Sequence, residues 1–427
     1  MARTLTPLDG YQLMTELVRQ ATGQAANAAI DASNFVSAGQ TILSTGRENV
    51  MNALSLVLGR TFAAVRPYNA KLRTINAINT GVYSHRLRKI SYYAKDPLPS
   101  GYFNTDLYTN FAPGYTAGEN ESGTPPTPNS TKSQWEQHPA MPLEVDFSTG
   151  PVTWQMCITM YEDKLEQAFN SVESFNAFIE GILVEHANDI ESQKEAWNRM
   201  ILLSSIASRN YLAANNIVPT SIINLTTEYN TTFGTSYTSQ QLRTTYIKEF
   251  LEFMTAKIKE TMDRFEERGT AFHDPMQKTV DGVTYSILRH SPKNRQRLYL
   301  YNPLLRLGEA MVMPEIFRPD YLDLNTQFEA VEYWQSNDSE INRPKVVMNS
   351  AYYDSVSGEQ KATGTQTIDF VVGVLSDEDA MMSDFVLERA LTSGLESRKG
   401  YRNSWLTFAK GALIDQSENQ VVFIMAD

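Results

Sequence analysis

The stretch Ser174–Ser208, SFNAFIEGILVEHANDIESQKEAWNRMILLSSIAS, decides how the rest of the chain is read. Its apolar positions Phe175, Phe178, Ile179, Ile182, Leu183, Ala187, Ile190, Trp197 and Ile201 fall at helical spacing. Glu180, Glu185, Asp189, Glu191, Lys194, Glu195 and Arg199 fill much of the remainder. A continuous helix over these residues is about 52 Å long at 1.5 Å per residue. Globular helices usually run about 8–20 residues, and the heptads are too irregular for a coiled coil. The pattern therefore predicts one long helix backing a sheet.

Upstream of that helix the chain changes character. Nine of its 18 prolines fall between residues 97 and 151, among Gly, Ser, Thr and Asn. The flanks are strand-like: Arg88-Lys-Ile-Ser-Tyr-Tyr-Ala94 leads in, and Val152-Thr-Trp-Gln-Met-Cys-Ile-Thr-Met160 leads back with alternating polarity. This predicts a long two-stranded arm with an irregular tip bearing Tyr102, Tyr108, Phe111, Tyr115 and Trp135. Such a ribbon has no core of its own, and another subunit is its expected support.

Between residues 60 and 95 there is no acid, yet there are eight bases: Arg60, Arg66, Lys71, Arg73, Arg86, Arg88, Lys89 and Lys95. The whole chain has 37 basic and 49 acidic residues, a net charge of −12, so this run is anomalous. Three readings stay open: a solvated face, pairing with acidic surface of a neighbouring subunit, or contact with nucleic acid. The overall acidity argues against a duplex-binding protein.

Downstream, Thr238-Ser-Gln-Gln241 is a capping box that opens a helix carrying Leu242, Tyr246, Phe250, Met254, Ile258, Met262 and Phe265. Asn302-Pro303 begins a short helix through Met313. Strands are expected at 284–288, 297–301, 345–348, 368–375, 404–412 and 420–425. Near the start, Thr45-Gly-Arg-Glu48 caps a helix with Val50, Leu54 and Leu58 on one face and Gly59 at its end. Helices and strands mix without a regular βαβ repeat, so the class is α+β.

The chain has 427 residues, of which 42% are hydrophobic and 11% aromatic, which excludes global disorder. No apolar run approaches the roughly 18 residues of a membrane span, and no secretory signal is read at the start. A soluble protein of a reducing compartment is expected, since the single cysteine, Cys157, cannot form an internal disulfide. Among Met156, Ile158 and Met160 it reads as a buried, inert thiol. Catalytic motifs are missing: no glycine-rich phosphate loop, no H-E-x-x-H, no G-x-S-x-G. The five histidines share no metal-ligand spacing. His186 reads as a partly exposed helix residue, His273-Asp274 as a turn, and Asp377-Glu378-Asp379 as a solvated turn or helix start. No catalytic residue, cofactor or metal is assigned; an enzyme with residues 97–151 as a lid is the weakest reading.

The order of these parts resembles the HK-97-type capsid shell fold of tailed bacteriophages. Within it the chain looks most like capsid proteins of small short-tailed phages of the phi-29 type. The likeness is carried by Asn34–Leu43 with the helix to Leu58 and Ala64-Val-Arg-Pro-Tyr68, and by Asp163–Phe169 with Glu173–Phe178. Leu298–Asn302, Gly373–Asp377 and Gly400–Phe408 complete it. The resemblance implies an N-terminal arm and short helix (1–60), the start of a peripheral domain (61–84) and an extended E-loop hairpin on the adjacent subunit (85–158). It further implies a peripheral domain with a spine helix (159–210), a mostly axial domain (211–395) and returning strands (396–427). The spine helix would carry Phe175, Phe178, Ile182, Ile190, Trp197 and Ile201.

The implied function is a major capsid protein that self-assembles into pentamers and hexamers around packaged DNA, in a virion shell built in the bacterial cytoplasm. Scaffolding, portal and decoration or head-fibre proteins are the implied partners, with no membrane. An encapsulin-like compartment or another phage structural protein is the alternative. Residues 1–33 have no counterpart in the family pattern; an extra arm or disorder is expected there. No immunoglobulin-like C-terminal domain, which phi-29-type proteins can carry, is read, and no covalent lysine–asparagine pair is identified.

Overall fold

The computed structural model describes residues 7–22, 34–44, 72, 74–78, 86–93, 142–148, 152–280, 283–311, 328–335, 344–354, 359–394, 396 and 398–427. Two helices come first, α1 (Pro7–Thr22) and α2 (Phe35–Ser44). Strands β1 (Asn76–Ile78), β2 (Arg86–Tyr92), β3 (Pro142–Ser148) and β4 (Val152–Tyr161) follow, then helices α3 (Glu162–Ala168) and α4 (Val172–Ala214). Next are β5 (Ile222–Asn224), α5 (Leu225–Phe233), α6 (Ser239–Thr244), α7 (Ile247–Glu266), β6 (Lys278–Val280) and β7 (Val283–Tyr285). Strand β8 (Gln296–Tyr301), helix α8 (Asn302–Met311) and β9 (Phe328–Val331) precede the closing strands. These are β10 (Val346–Asp354), β11 (Glu359–Ile368), β12 (Val371–Asp377), β13 (Met381–Thr392), β14 (Tyr401–Ile414) and β15 (Gln420–Ile424).

The long helix is longer than its apolar pattern outlines: α4 has 43 residues, about 64 Å at 1.5 Å per residue. Ser171 caps its start, accepting from the Ser174 amide at 3.1 Å. It runs on past Ser208 because Arg209 and Leu212 are buried, and it stops where Asn216 turns left-handed at φ 57°. Phe175, Trp197 and Ile201 are buried and Ile190 is half-buried, while the side chains of Phe178, Ile182 and His186 lie outside the described residues.

Two sheets share α4. The first has strand order β1-β13-β14-β4 and the second β5-β15-β12-β8-β9. Trp197 links helix to the first sheet: its Nε1 donates to the Gly411 carbonyl at 3.1 Å, and Trp154 meets its ring edge-on at 5.0 Å. In the second, β12 is the central strand and all seven of its residues are buried. Its Gly373 permits a close strand approach, because a Cβ there would collide with Leu300 Cδ2 and lie 2.8 Å from the Tyr299 carbonyl oxygen. The β10–β11 ribbon packs along α4, with Tyr352 stacked on Tyr211 at 4.6 Å.

Several expectations are corrected by this arrangement. The strand returning beside β2 is β3, with Lys89 opposite Val145 and Ser91 opposite Leu143; the 152–160 segment instead pairs with β14. Cys157 is exposed, because Trp154, Met156, Ile158 and Met160 take the inward positions of β4 and leave Cys157 on the outer face. The expected 368–375 strand is split at Phe370, whose φ of 51° ends β11 and starts β12. The Thr238 capping box forms, but its helix breaks after Thr244 and resumes at Ile247. The 284–288 strand shrinks to β7, and Ile287 is buried beyond it. Strand β13 is not among the expected strands; it pairs antiparallel with β14 in the first sheet.

Within 1–33, α1 is an ordered helix on its own chain. Met14 and Leu17 are buried, and Tyr11, Phe35, Phe175 and Phe169 form a run of ring contacts linking α1, α2 and α4. The expected helix from Thr45 to Leu58 lies outside the described residues.

Candidate functional site at the hairpin root

The described part of the arm is the β2–β3 ribbon, and its alternation gives it two faces. Arg88, Ile90 and Tyr92 point outward, the last two 54% and 62% exposed. Lys89, Ser91 and Val145 point toward the body. Val145 joins a small buried apolar cluster with Met276 and Ile287. Lys89 Nζ reaches Asp415 Oδ2 and Glu418 Oε1, and lies 3.2 Å from Ser417 Oγ. Arg289 completes the group: its Nη2 donates to Ser91 Oγ at 2.6 Å and its Nε lies 3.3 Å from Glu418 Oε1.

The receiving segment, residues 415–420, is the connection from β14 in one sheet to β15 in the other together with Gln420, the first residue of β15. It reads Asp-Gln-Ser-Glu-Asn-Gln, and all six residues are buried. Buried polar groups need partners, and these come from distant parts of the chain. The Gln416 amide serves Ser208 Oγ, the Ala351 carbonyl and the Tyr353 amide. Gln420 Oε1 accepts from Ser205 Oγ at 2.6 Å and Arg209 Nε at 3.0 Å. The fully buried Arg209 also donates to the carbonyls of Glu418 at 2.8 Å and Phe272 at 3.4 Å. Burial lowers its pKa to about 10, partly opposed by the charges of Asp415, Asp274 and Glu418. Burial likewise raises Glu418, against the pull of Lys89 and Arg289.

His273, expected in a turn, is fully buried in this network. Its Nε2 lies 2.8 Å from the Ile287 carbonyl and its Nδ1 3.1 Å from Asn419 Oδ1; both partners are acceptors, and the single N–H of a neutral ring donates to one of them. Desolvation lowers its pKa to about 4, so the ring is neutral at neutral pH. The Asp377-Glu378-Asp379 turn is also clasped: Arg295 pairs with Asp377 at 3.0 Å and with Asp379, and Arg297 with Glu378 at 2.6 Å.

Of the basic run, the structure brings Lys89 into this site, and it places Arg88 on the exposed face of the same strand. Lys89 thus pairs within its own chain. Arg86 starts β2, with its side chain outside the described residues; Arg60, Arg66, Lys71, Arg73 and Lys95 lie outside them altogether, as do Tyr102, Tyr108, Phe111, Tyr115 and Trp135. The residues missed from sequence are Arg209, Arg289 and 415–420. A run of six polar residues between two apolar strands is the one local signal that was present. Among the described residues no cluster of His, Cys, Asp and Glu could hold a metal ion, and no helix is long and apolar enough to cross a membrane.

No protein-family model and no curated protein matches the chain. Among solved structures, a chain in the capsid structure of Staphylococcus phage Andhra superposes with a TM-score of 0.51 at 8% identity, covering 84% of this chain and 86% of that one. A chain in a structure of the head fiber and inner core protein gp22 of native bacteriophage P68 gives 0.47 at 8% identity, covering 84% and 86%. One in the mature capsid of bacteriophage PhiM1 gives 0.41 at 8%, covering 84% and 88%. The Andhra likeness shows the fold: an α+β chain of the phage capsid, HK-97-like kind.

Proposed function

We propose that this chain is a major capsid protein that associates with copies of itself into the pentamers and hexamers of a phage head. The observation that carries this reading is the Andhra likeness, which spans 84% of the chain and most of the other. The surface supports it. On the outer face of the first sheet, Leu391, Trp405 and Cys157 lie in register across three strands, and Leu391 and Trp405 are 50% and 39% exposed. Tyr161 and Tyr401 flank them with rings 5.9 Å apart. The Thr159–Asn403 pair separates the tyrosines from that row, and an exposed apolar row with a polar border suits burial against another copy.

In this reading the β2–β3 ribbon is the root of an E-loop, α4 is the spine of a peripheral domain with the first sheet, and the second sheet lies in the axial domain. The remaining bases of 60–95 face acidic neighbours or packaged DNA. The chain acts without catalysis, in the virion, with scaffolding, portal and decoration or head-fibre proteins as further partners. The closer likeness to short-tailed phages rests on the segments quoted from the sequence.

Negative-stain electron microscopy of the purified chain, alone and with candidate scaffold proteins, tests this. Closed shells, tubes or rings of five or six subunits are expected. A monodisperse monomer under both conditions would sink it.

A further inference from the structure

A two-stranded ribbon is marginal by itself and takes its direction from whatever holds its root. Here the apolar part of that hold, among the described residues, is the buried cluster of Val145, Met276 and Ile287 with Tyr93, Leu143 and Tyr353 packed against it. Beside it lies a charged part. Two cations from different segments, Lys89 on β2 and Arg289 after β7, meet two carboxylates of one connection, Asp415 and Glu418.

The carboxylates are themselves fixed. Asp415 Oδ1 accepts from the Ser417 amide at 2.9 Å and from its hydroxyl at 2.7 Å, which turns Oδ2 toward Lys89. The Glu418 carbonyl is held by Arg209 from the interior of α4. The backbone of the connection is tied on both sides: Asp415 N donates to the Ala380 carbonyl at 2.9 Å, ahead of β13 in the first sheet. Asn419 accepts from Asp377 N at 2.8 Å, at the end of β12 in the second. A group anchored to both sheets therefore also grips the ribbon.

We infer that Lys89, Arg289, Asp415 and Glu418 form an ionic latch that sets the direction of the β2–β3 ribbon and couples it to the junction between the two sheets. Lys89 is the positioning residue, because it is the member that the ribbon contributes with a charge. The latch works within one chain and does not depend on shell formation.

Hydrogen exchange read by mass spectrometry on the full chain tests this. Lys89→Met should speed exchange in peptides spanning 86–92 and 142–148 by on the order of tenfold, with 296–301 and 371–377 unchanged. Lys89→Arg should restore most of the protection. Glu418→Gln should act like Lys89→Met, and the double variant should add little to either, as members of one cluster do. Unchanged exchange in the ribbon, a rise spread evenly over the chain, or fully additive effects would each overturn the latch. All three can occur whether or not the chain builds shells, so failure here is separate from failure of the capsid reading.

Discussion

Residues 371–377 and residues 415–420 are hidden from solvent to a similar degree, and opposite forces hide them. Strand β12 is Val-Val-Gly-Val-Leu-Ser-Asp; it contributes Val371, Val372, Val374 and Leu375 to the main core and takes hydrogen bonds from β8 and β15 on either side. Its burial is favourable in itself, about 25 cal/mol per Å² of apolar surface. The 415–420 connection gains almost nothing from burial as such. It stays inside because Gln420, Asn419 and Gln416 find partners on α4 (Arg209 among them), β10 and the 272–291 segment. A core of the first kind degrades gradually when trimmed. A polar knot fails by leaving buried groups unpaired, and each one costs its full desolvation.

The sharpest test of that contrast is Arg209→Met. It removes a fully buried guanidinium, leaves the Glu418 carbonyl without its Arg209 donor, and takes one of two donors from Gln420 Oε1 and from the Phe272 carbonyl. A loss of about 3–5 kcal/mol is expected in urea unfolding. Leu375→Ala in β12 should cost about 2–5 kcal/mol through its cavity. The distinguishing expectation is local: Arg209→Met should also expose the 415–420 backbone to hydrogen exchange, and Leu375→Ala should not do so selectively. If Arg209→Met costs under about 1 kcal/mol, polar pairing does not hold the connection and the comparison collapses.

The same division decides what could be read from sequence. The apolar runs around Leu298–Tyr301 and Val421–Ile424, the long helix and the Thr238 capping box are legible, because period, burial and cap all lie within a few residues. The capping box closes as its residues suggest, Gln241 Oε1 accepting from Thr238 N at 2.9 Å. Strand β13 is not legible: Ser383, Asp384, Glu388 and Arg389 interrupt any apolar run, and Asp384 is buried all the same. Asp377-Glu378-Asp379 looks solvated because its partners, Arg295 and Arg297, are some 80 positions away. Lys89 and its carboxylates are more than 300 apart. Local composition carries hydrophobic burial; it carries no information on a pairing assembled from five segments.

A pH titration sharpens the comparison further. His273 is held neutral, with a pKa lowered from 6.5 to about 4 by burial. Between those values the unfolded chain binds a proton that the fold does not, so this contribution to stability is lost as pH falls from about 6.5 toward 4. Its full size is about 3 kcal/mol. Asp274 and Glu418 work in the opposite direction, since burial raises both and the fold binds their protons first as pH falls. The informative quantity is therefore the difference between wild type and His273→Gln. The variant should be less stable at pH 7, and the two denaturation curves should converge by pH 4.5. Parallel pH profiles would mean the ring is not held neutral in the knot.

The smallest effect is expected at Cys157, which separates exposed surface from both interiors. It sits on the outer face of β4, opposite Trp405, so Cys157→Ser removes no core volume and no network partner. Stability should change by less than about 0.5 kcal/mol, the usual range for surface substitutions. The native, unassembled chain should react with a thiol reagent such as dithionitrobenzoate as readily as the urea-unfolded chain does. Under assembling conditions the same thiol should become protected if the Leu391–Trp405 face is the one covered by a second copy. Full reactivity in a closed shell would leave that face free and move the subunit contact elsewhere on the molecule, with the fold and the knot untouched.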